Sequence, residues 1–374
     1  MYALALGLFT LLSSGYTAPT GLCPPFQGTF NVSVLDLYPE SADWDPVHCK
    51  IYFGCVSLFV SSCHALISNS LYYNASVVVY DPYRQTSELI TIPGITGNSD
   101  YTVTGIDYDG MGSMYFAATS LTAFQATTSG NASLANFTGP NSIIRYDTNA
   151  RKISWVSDLV PIHNEILQRT GKLVTGFQDM AEDSQGNSFV IGSFGSVIVK
   201  IDRNGTPRVW YEPKNINDTL VSGGIISSGN KIVINDRLYP ALVTFDIDEP
   251  YGTPVYVHPE GFPANYSAGT DALVAPSAYS GRVVLWSDDA YGTRVIGTRN
   301  NWETAEYLGL VPMDSSLHRR GGIATDSFAV GNTIYALTEF FQTTTPIKTT
   351  KEFTMVDMTE QVDQLVGVWA RAGA

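Results

Sequence analysis

The sequence predicts an all-β fold: a six-bladed β-propeller with four-stranded blades, one short helical insertion near residues 158–172 and a C-terminal appendage. Three observations carry this: a composition suited to strands, a unit that recurs six times, and strand-like patterning inside each unit. Of 374 residues, 44% are hydrophobic and only 15% charged, enough apolar material for a large buried core. With 33 Gly, 21 Tyr and 17 Phe, and no long runs of Ala, Leu, Glu and Lys, strands and turns are favoured over helices.

The recurring unit is an opening motif, an apolar strand, a Gly/Asn/Asp turn, a second strand, and an alternating strand that ends in aspartate. Blade one opens at Glu40-Ser41-Ala42-Asp43-Trp44-Asp45 and continues through 77–81. Blade two has Gly105-Ile106-Asp107-Tyr108-Asp109, then strands at 114–118 and 143–147. Blade three is the clearest copy. It starts at Gln178-Asp179-Met180-Ala181-Glu182-Asp183, turns at Ser184-Gln185-Gly186-Asn187, and runs on through 188–192, 196–202 and 207–211. Blades four, five and six take 223–226, 231–235 and 242–246; 271–275, 282–287 and 294–298; and 321–325, 333–338 and 353–357. Each such sheet has two apolar faces, so it must stack between neighbours, and closing the ring removes the end blades. Runs such as Ile198-Val199-Lys200-Ile201 and Val283-Val284-Leu285-Trp286 fit strands buried on both faces.

Only 158–172 and 359–369 read as helix, the first an inter-blade insertion and the second a packing appendage. Residues 121–140, small and polar, read as an exposed loop. No linker is visible, so residues 19–374 form one domain.

The net charge of −14 excludes a nucleic-acid or anionic-membrane partner, since neither is met by an acidic surface. Residues 1–18 read as a signal peptide: an apolar stretch too short to span a bilayer, then small residues, with cleavage after Gly15 or after Ala18 fitting equally. Sequons at Asn31, Asn74, Asn131, Asn136, Asn204, Asn217 and Asn265 point the same way. The expectation is a secreted, glycosylated monomer whose partner is a small molecule.

The cysteines are Cys23, Cys49, Cys55 and Cys63, and an even count in a secreted chain suggests two disulfides. Residues 55–70, however, interrupt what would otherwise be a hairpin between Lys50-Ile51-Tyr52-Phe53-Gly54 and Leu71-Tyr72-Tyr73-Asn74. Val56-Ser57 and Asn69-Ser70 can encode the start and end of a short intron, so the segment is either a retained intron or a genuine variable loop. If it is an intron, Cys23 and Cys49 remain as one pair, pinning the N-terminal arm to the first blade.

Inner strands of a propeller begin at one face and line the channel, so opening motifs distant in sequence converge there. Those positions are Glu40, Thr104, Gln178 with Asp179, Ser222, Asp271, and His318-Arg319-Arg320. Carboxylates with a Gln and hydroxyls could hold a hard divalent cation such as calcium, for which Glu40 and Asp271 are the candidate ligands. Equally they could do acid/base work, with Glu40, Asp179 and Asp271 as catalytic groups and Thr104, Gln178, Ser222 and Arg320 contacting substrate. Asp179 and Asp271 also suit turn capping. A nucleophile elbow, a phosphate-binding Gly-Lys loop and a zinc helix are all missing.

Several motifs resemble a known group. Leu37-Tyr38-Pro39-Glu40-Ser41-Ala42, Gly176-Phe177-Gln178-Asp179, Asn235-Asp236, Asp271-Ala272-Leu273, Trp302-Glu303-Thr304-Ala305-Glu306-Tyr307-Leu308-Gly309, Glu339-Phe340-Phe341 and Val356-Asp357 resemble the secreted fungal family typified by trichothecene-biosynthesis protein fourteen. The blade openings also look like those of the regucalcin and gluconolactonase superfamily of six-bladed propellers. The resemblance implies a role in fungal secondary metabolism, closing or opening an oxygen ring on an oxygenated terpenoid or lactone. The gluconolactonase metal site uses a Glu, two Asn and an Asp. Glu40 and Asp271 match it, Gln178 replaces one Asn, and the other has no counterpart. A second class of function, a non-catalytic secreted binder, fits the incomplete metal set.

Overall fold

Six four-stranded antiparallel sheets make up the computed structural model, which describes residues 23–34, 37–55, 75–123, 139–172, 174–195, 197–213, 222–263, 269–340 and 352–372. The signal-peptide segment, residues 56–70 with Cys63, and the sequons at Asn74, Asn131, Asn136, Asn217 and Asn265 lie outside the described residues. Asn31 and Asn204 are described, and both are exposed.

The chain begins with β1 (Phe30–Val32), which does not belong to the first blade. Blade one is β2 (Pro39–Asp45), β3 (Lys50–Cys55), β4 (Ser76–Asp81) and β5 (Thr86–Ile90). Blade two is β6 (Tyr101–Tyr108), β7 (Ser113–Ser120), β8 (Ser142–Asp147) and β9 (Lys152–Asp158). Blade three is β10 (Thr175–Glu182), β11 (Ser188–Phe194), β12 (Val197–Ile201) and β13 (Pro207–Tyr211). Blade four is β14 (Ile225–Ser228), β15 (Lys231–Asp236), β16 (Ala241–Asp246) and β17 (Val255–Val257). Blade five is β18 (Thr270–Val274), β19 (Val283–Asp288), β20 (Gly292–Gly297) and β21 (Glu306–Pro312). Blade six is β22 (Ile323–Val330), β23 (Thr333–Glu339), β24 (Phe353–Asp357) and, as its outer strand, β1. The six blades expected from the repeats are therefore present.

The inner strands touch in sequence, β2 with β6, β6 with β10, β10 with β14, β14 with β18, β18 with β22 and β22 with β2, which closes the ring. Six hydrophobic clusters fill the seams. Ile51 and Phe53 of blade one, for example, meet Phe328, Tyr335 and Phe353 of blade six. Burial on both sheet faces explains why these strands read as nearly continuous apolar runs.

Ring closure joins the two ends of the chain. Phe30 pairs with Met355 and Val32 with Phe353, while Cys23 is disulfide-bonded to Cys49 beside blade one. The arm thus spans the last seam. Cys55, at the start of the segment that interrupts the hairpin, is the final residue of β3, opposite Ser76, and is a buried free thiol.

The helical insertion is α1 (Val160–Thr170), opened by Pro161 and stopped by Gly171 in the left-handed conformation at φ 72°. It buries Ile162, His163 and Ile166 against the blade two and three seam. A short α2 (Ser315–Arg319), N-capped by Asp314, was not expected from the sequence. The C-terminal α3 (Thr359–Ala372) packs on β20, β21 and β23, burying Val362 and Trp369.

Candidate functional site

Every inner strand runs from an opening end to a hairpin end, where it turns into the second strand of its blade; Glu40 and Asp271 lie at the opening end, whereas Thr104, Gln178 and Asp179 lie midway along their strands. Two features hold the strands close enough for their side chains to meet. One is glycine: a Cβ on Gly105 would lie 2.3 Å from the Gln178 carbonyl, and one on Gly224 would lie 2.1 Å from Leu273 N. The other is a belt of hydrogen bonds. Thr104 Oγ1 donates to the Gln178 carbonyl at 3.1 Å, and Gln178 Nε2 donates to the Gly223 carbonyl at 3.2 Å. Asn235 Oδ1 accepts from Ser222 Oγ, Gly223 N and Gly224 N, while its Nδ2 donates to the Asp271 carbonyl.

Within this belt three inner-strand aspartates do the same job. Asp43 accepts from Trp44 N and Tyr108 N, Asp179 from Met180 N and Ile225 N, and Asp326 from Ser327 N and Ala42 N. One oxygen holds the strand's own next N–H and the other holds the neighbouring inner strand. The register shifts at Phe177/Asp179 and Ala324/Asp326 turn two of these side chains to the position.

At the opening end the carboxyls are less committed. Glu40 is buried, 8% exposed, and its Oε2 has no hydrogen-bond partner. Glu339, the last residue of β23, is fully buried; its Oε1 accepts from Phe340 N and its Oε2 has no partner. Burial pushes Glu40 well above the usual carboxylate range, and the charges of Asp271, Glu339, Asp179 and Asp326 push it further. Asp271 rises to about 8, first by burial and then by Asp289, with Arg237 opposing. Burial raises Asp326 to about 7, and raises Asp179 and Glu339 as well.

The structure thus brings Glu40, Asp179 and Asp271 into one electrostatic neighbourhood, in which the charges of Asp271 and Asp179 both disfavour ionisation of Glu40. Thr104, Gln178 and Ser222 stand beside them with the hydrogen bonds already described. Arg320 is exposed at the end of α2, its guanidinium 4.9 Å from the centre of the Phe340 ring. Asp326 and Glu339 were not singled out from the sequence. The available signal was a lone carboxylate inside or ending a strand otherwise expected to be buried on both faces, as in Ile323–Val330.

Among the described residues no group of three or more His, Cys, Asp or Glu side chains is placed to hold a metal ion. Two carboxylates, Glu40 and Asp271, fall well short of the oxygen set that a calcium ion takes. What the cluster can do is share protons. Closely spaced carboxyls in a dry site do not all ionise together, so an acid and a base coexist near neutral pH.

The chain is 24% identical over 361 residues to trichothecene biosynthesis protein 14 of Trichoderma arundinaceum, covering 92% of each. It is 22% identical over 369 residues to core trichothecene cluster protein 14 of Fusarium sporotrichioides, covering 94% of this chain and 90% of that one. The likeness runs end to end. The kinship expected from the motifs around Glu40 and Asp271 is borne out by these relatives. Among solved structures, the major allergen Mala s 1 of Malassezia sympodialis superposes with a TM-score of 0.71 at 18% identity, covering 89% of this chain and 96% of that one. That is a likeness of fold. No family model matches the chain.

Proposed function

We propose that this protein is a secreted, glycosylated propeller of fungal secondary metabolism that closes or opens an oxygen ring on an oxygenated terpenoid or lactone without redox chemistry. The full-length similarity to two trichothecene-cluster proteins supports the pathway class. One observation carries the chemistry: Glu40 and Asp271 are both buried and both hold their protons more tightly for it, with the charge of Asp271 raising Glu40 further. In ring closure the protonated partner gives its proton to a departing hydroxyl, which leaves as water. The ionised partner takes the proton of the attacking hydroxyl as the new C–O bond forms. Asp179 supports the charge state of the pair, and Gln178 and Arg320 orient the substrate.

A second reading, a non-catalytic secreted binder, is favoured by a different observation. Thr104, Gln178 and Ser222 direct hydrogen bonds at the protein's own backbone and at Asn235. Metabolite profiling separates the two. A strain lacking the gene should accumulate one oxygenated precursor, and reintroduced wild type should clear it. Glu40→Gln or Asp271→Asn should clear it at least about a hundredfold more slowly, the usual size of a lost acid or base. Full clearance by both variants would leave the binder.

A further inference from the structure

Ring closure between blades six and one sets a second carboxyl against Glu40. The bulge in blade six lies on β22, at Ala324/Asp326, so β23 alternates without a break. Its Tyr335 and Leu337 belong to one packed cluster with Ile51, Phe53 and Cys55 of blade one. Glu339, two residues beyond Leu337, faces the same way. Cys55 is the cross-strand partner of Pro39, the neighbour of Glu40, so the Glu339 side chain reaches the rung from which Glu40 projects. Its charge is felt at both places, raising Glu40 and, after burial, the Cys55 thiol.

The two acids differ in what holds them. Phe340 N donates to Glu339 Oε1 at 2.7 Å, whereas the buried Oε2 of Glu40 receives no donor among the described residues. A backbone N–H favours the ionised form of the carboxyl that accepts it. The charge therefore settles on Glu339 and the proton on Glu40, with Asp179, Asp271 and Asp326 adding to the same effect. Asp271 keeps different company. Asn235 Nδ2 donates to its carbonyl at 2.6 Å, which fixes the end of β15 beside the start of β18. Arg237, two residues beyond Asn235, is the positive charge that favours ionisation of Asp271, against Asp289 and Asp326.

We propose that Glu40 is the acid and Asp271 the base of the ring chemistry, and that Glu339 and Arg237 are the positioning residues that fix this division. The assignment rests on the reaction proposed above and adds its polarity. Glu40 gives its proton to the departing hydroxyl, which leaves as water, and Asp271 takes the proton of the attacking hydroxyl as the new C–O bond forms. One proton has then passed from Glu40 to Asp271, and its return resets the site.

The full chain, acting on precursor extracted from the deletion strain, tests this. The pH dependence of kcat should be bell-shaped, its low-pH limb set by Asp271 and its high-pH limb by Glu40. Glu339→Gln keeps an acceptor for Phe340 N but removes the charge, so Glu40 should release its proton earlier. The high-pH limb should then fall by about one pH unit, an about tenfold loss of rate on that limb. Arg237→Gln should instead raise the low-pH limb by a similar amount, and it carries the test if Glu339→Gln does not fold. Infrared titration reads the first shift without turnover, the Glu40 carboxyl band being the one lost in Glu40→Gln. A folded Glu339→Gln with the Glu40 band and the high-pH limb in their wild-type positions would overturn the assignment. So would a low-pH limb unmoved by Arg237→Gln, or a rate lowered at every pH with neither limb displaced. Full precursor clearance by Glu40→Gln and Asp271→Asn would overturn the reaction itself, and the infrared bands would still show whether Glu339 holds the proton on Glu40.

Discussion

Midway along the inner strands, Asp43, Asp179 and Asp326 each grip two backbone N–H groups, one on their own strand and one on the next. At the opening end, Glu40 and Glu339 are equally buried, yet each leaves an oxygen with no partner. Both groups of acids have their proton affinity raised by burial. What separates a fastening from a reagent is therefore the number of backbone donors aimed at the carboxyl. A doubly bonded carboxylate is a fixed strut, whereas one with a bare oxygen is available to a substrate.

The sharpest way to break this contrast is to force the strands apart between the two ends. Gly224→Ala would set a methyl 2.1 Å from Leu273 N and 2.5 Å from the Ala272 carbonyl carbon, both backbone atoms that cannot rotate away. The expected cost is at least about 3 kcal/mol, read as a fall in the denaturation midpoint. A midpoint equal to that of wild type would mean the blades are not in contact there.

Next in size is a comparison of two isosteric changes. Glu40→Gln should slow precursor clearance by at least about a hundredfold while leaving the midpoint near that of wild type. Asp326→Asn should do the reverse, losing about 1–3 kcal/mol of stability because an amide offers one acceptor to two N–H donors. If both variants lose activity and stability together, the division of labour is gone.

A smaller effect concerns pH. Asp271 at about 8, and Asp326 and Glu182 at about 7, all hold protons more tightly in the folded chain than in the unfolded one. Each therefore contributes stability that is fully present below about pH 4, where both states are protonated, and that is lost as pH rises through 7 to 8. The midpoint should be higher at pH 5 than at pH 8. Glu182→Gln and Asp271→Asn should each flatten part of that slope, the second at the higher pH. The smallest effect is expected from Arg320→Ala. This exposed side chain stacks on Phe340, so stability should change by less than about 0.5 kcal/mol. A raised KM with kcat unchanged would mark it as a substrate-orienting group.

Local patterning made the blades legible. Turn residues such as Gln185-Gly186-Asn187 and apolar runs such as Val197–Ile201 identify themselves without reference to anything distant. So did α1, through its apolar spacing and its terminating Gly171. Features defined by a remote partner were not legible. Phe30–Val32 is three residues long and becomes a strand only beside Phe353–Met355. Asp326 lies in an apolar strand, and nothing nearby announces that Ala42 N is its partner. Glu40 could be singled out because an acid between Pro39 and Ser41 lacks a local explanation, whereas Glu182 read only as part of the opening motif of blade three.

The outer strand of blade six is taken from the opposite end of the chain, with Asn31 and Thr354 in contact across 323 residues. At ribosomal speeds of about 5–20 residues per second, tens of seconds separate the synthesis of these partners. Blades one to five can assemble as they emerge, but β1 has no sheet to join until β22, β23 and β24 have been made. Throughout that interval the Cys23–Cys49 bond can tether the waiting arm beside blade one, the neighbour of the gap it must fill. An oxidising compartment would therefore speed the last step of assembly as well as strengthen its product.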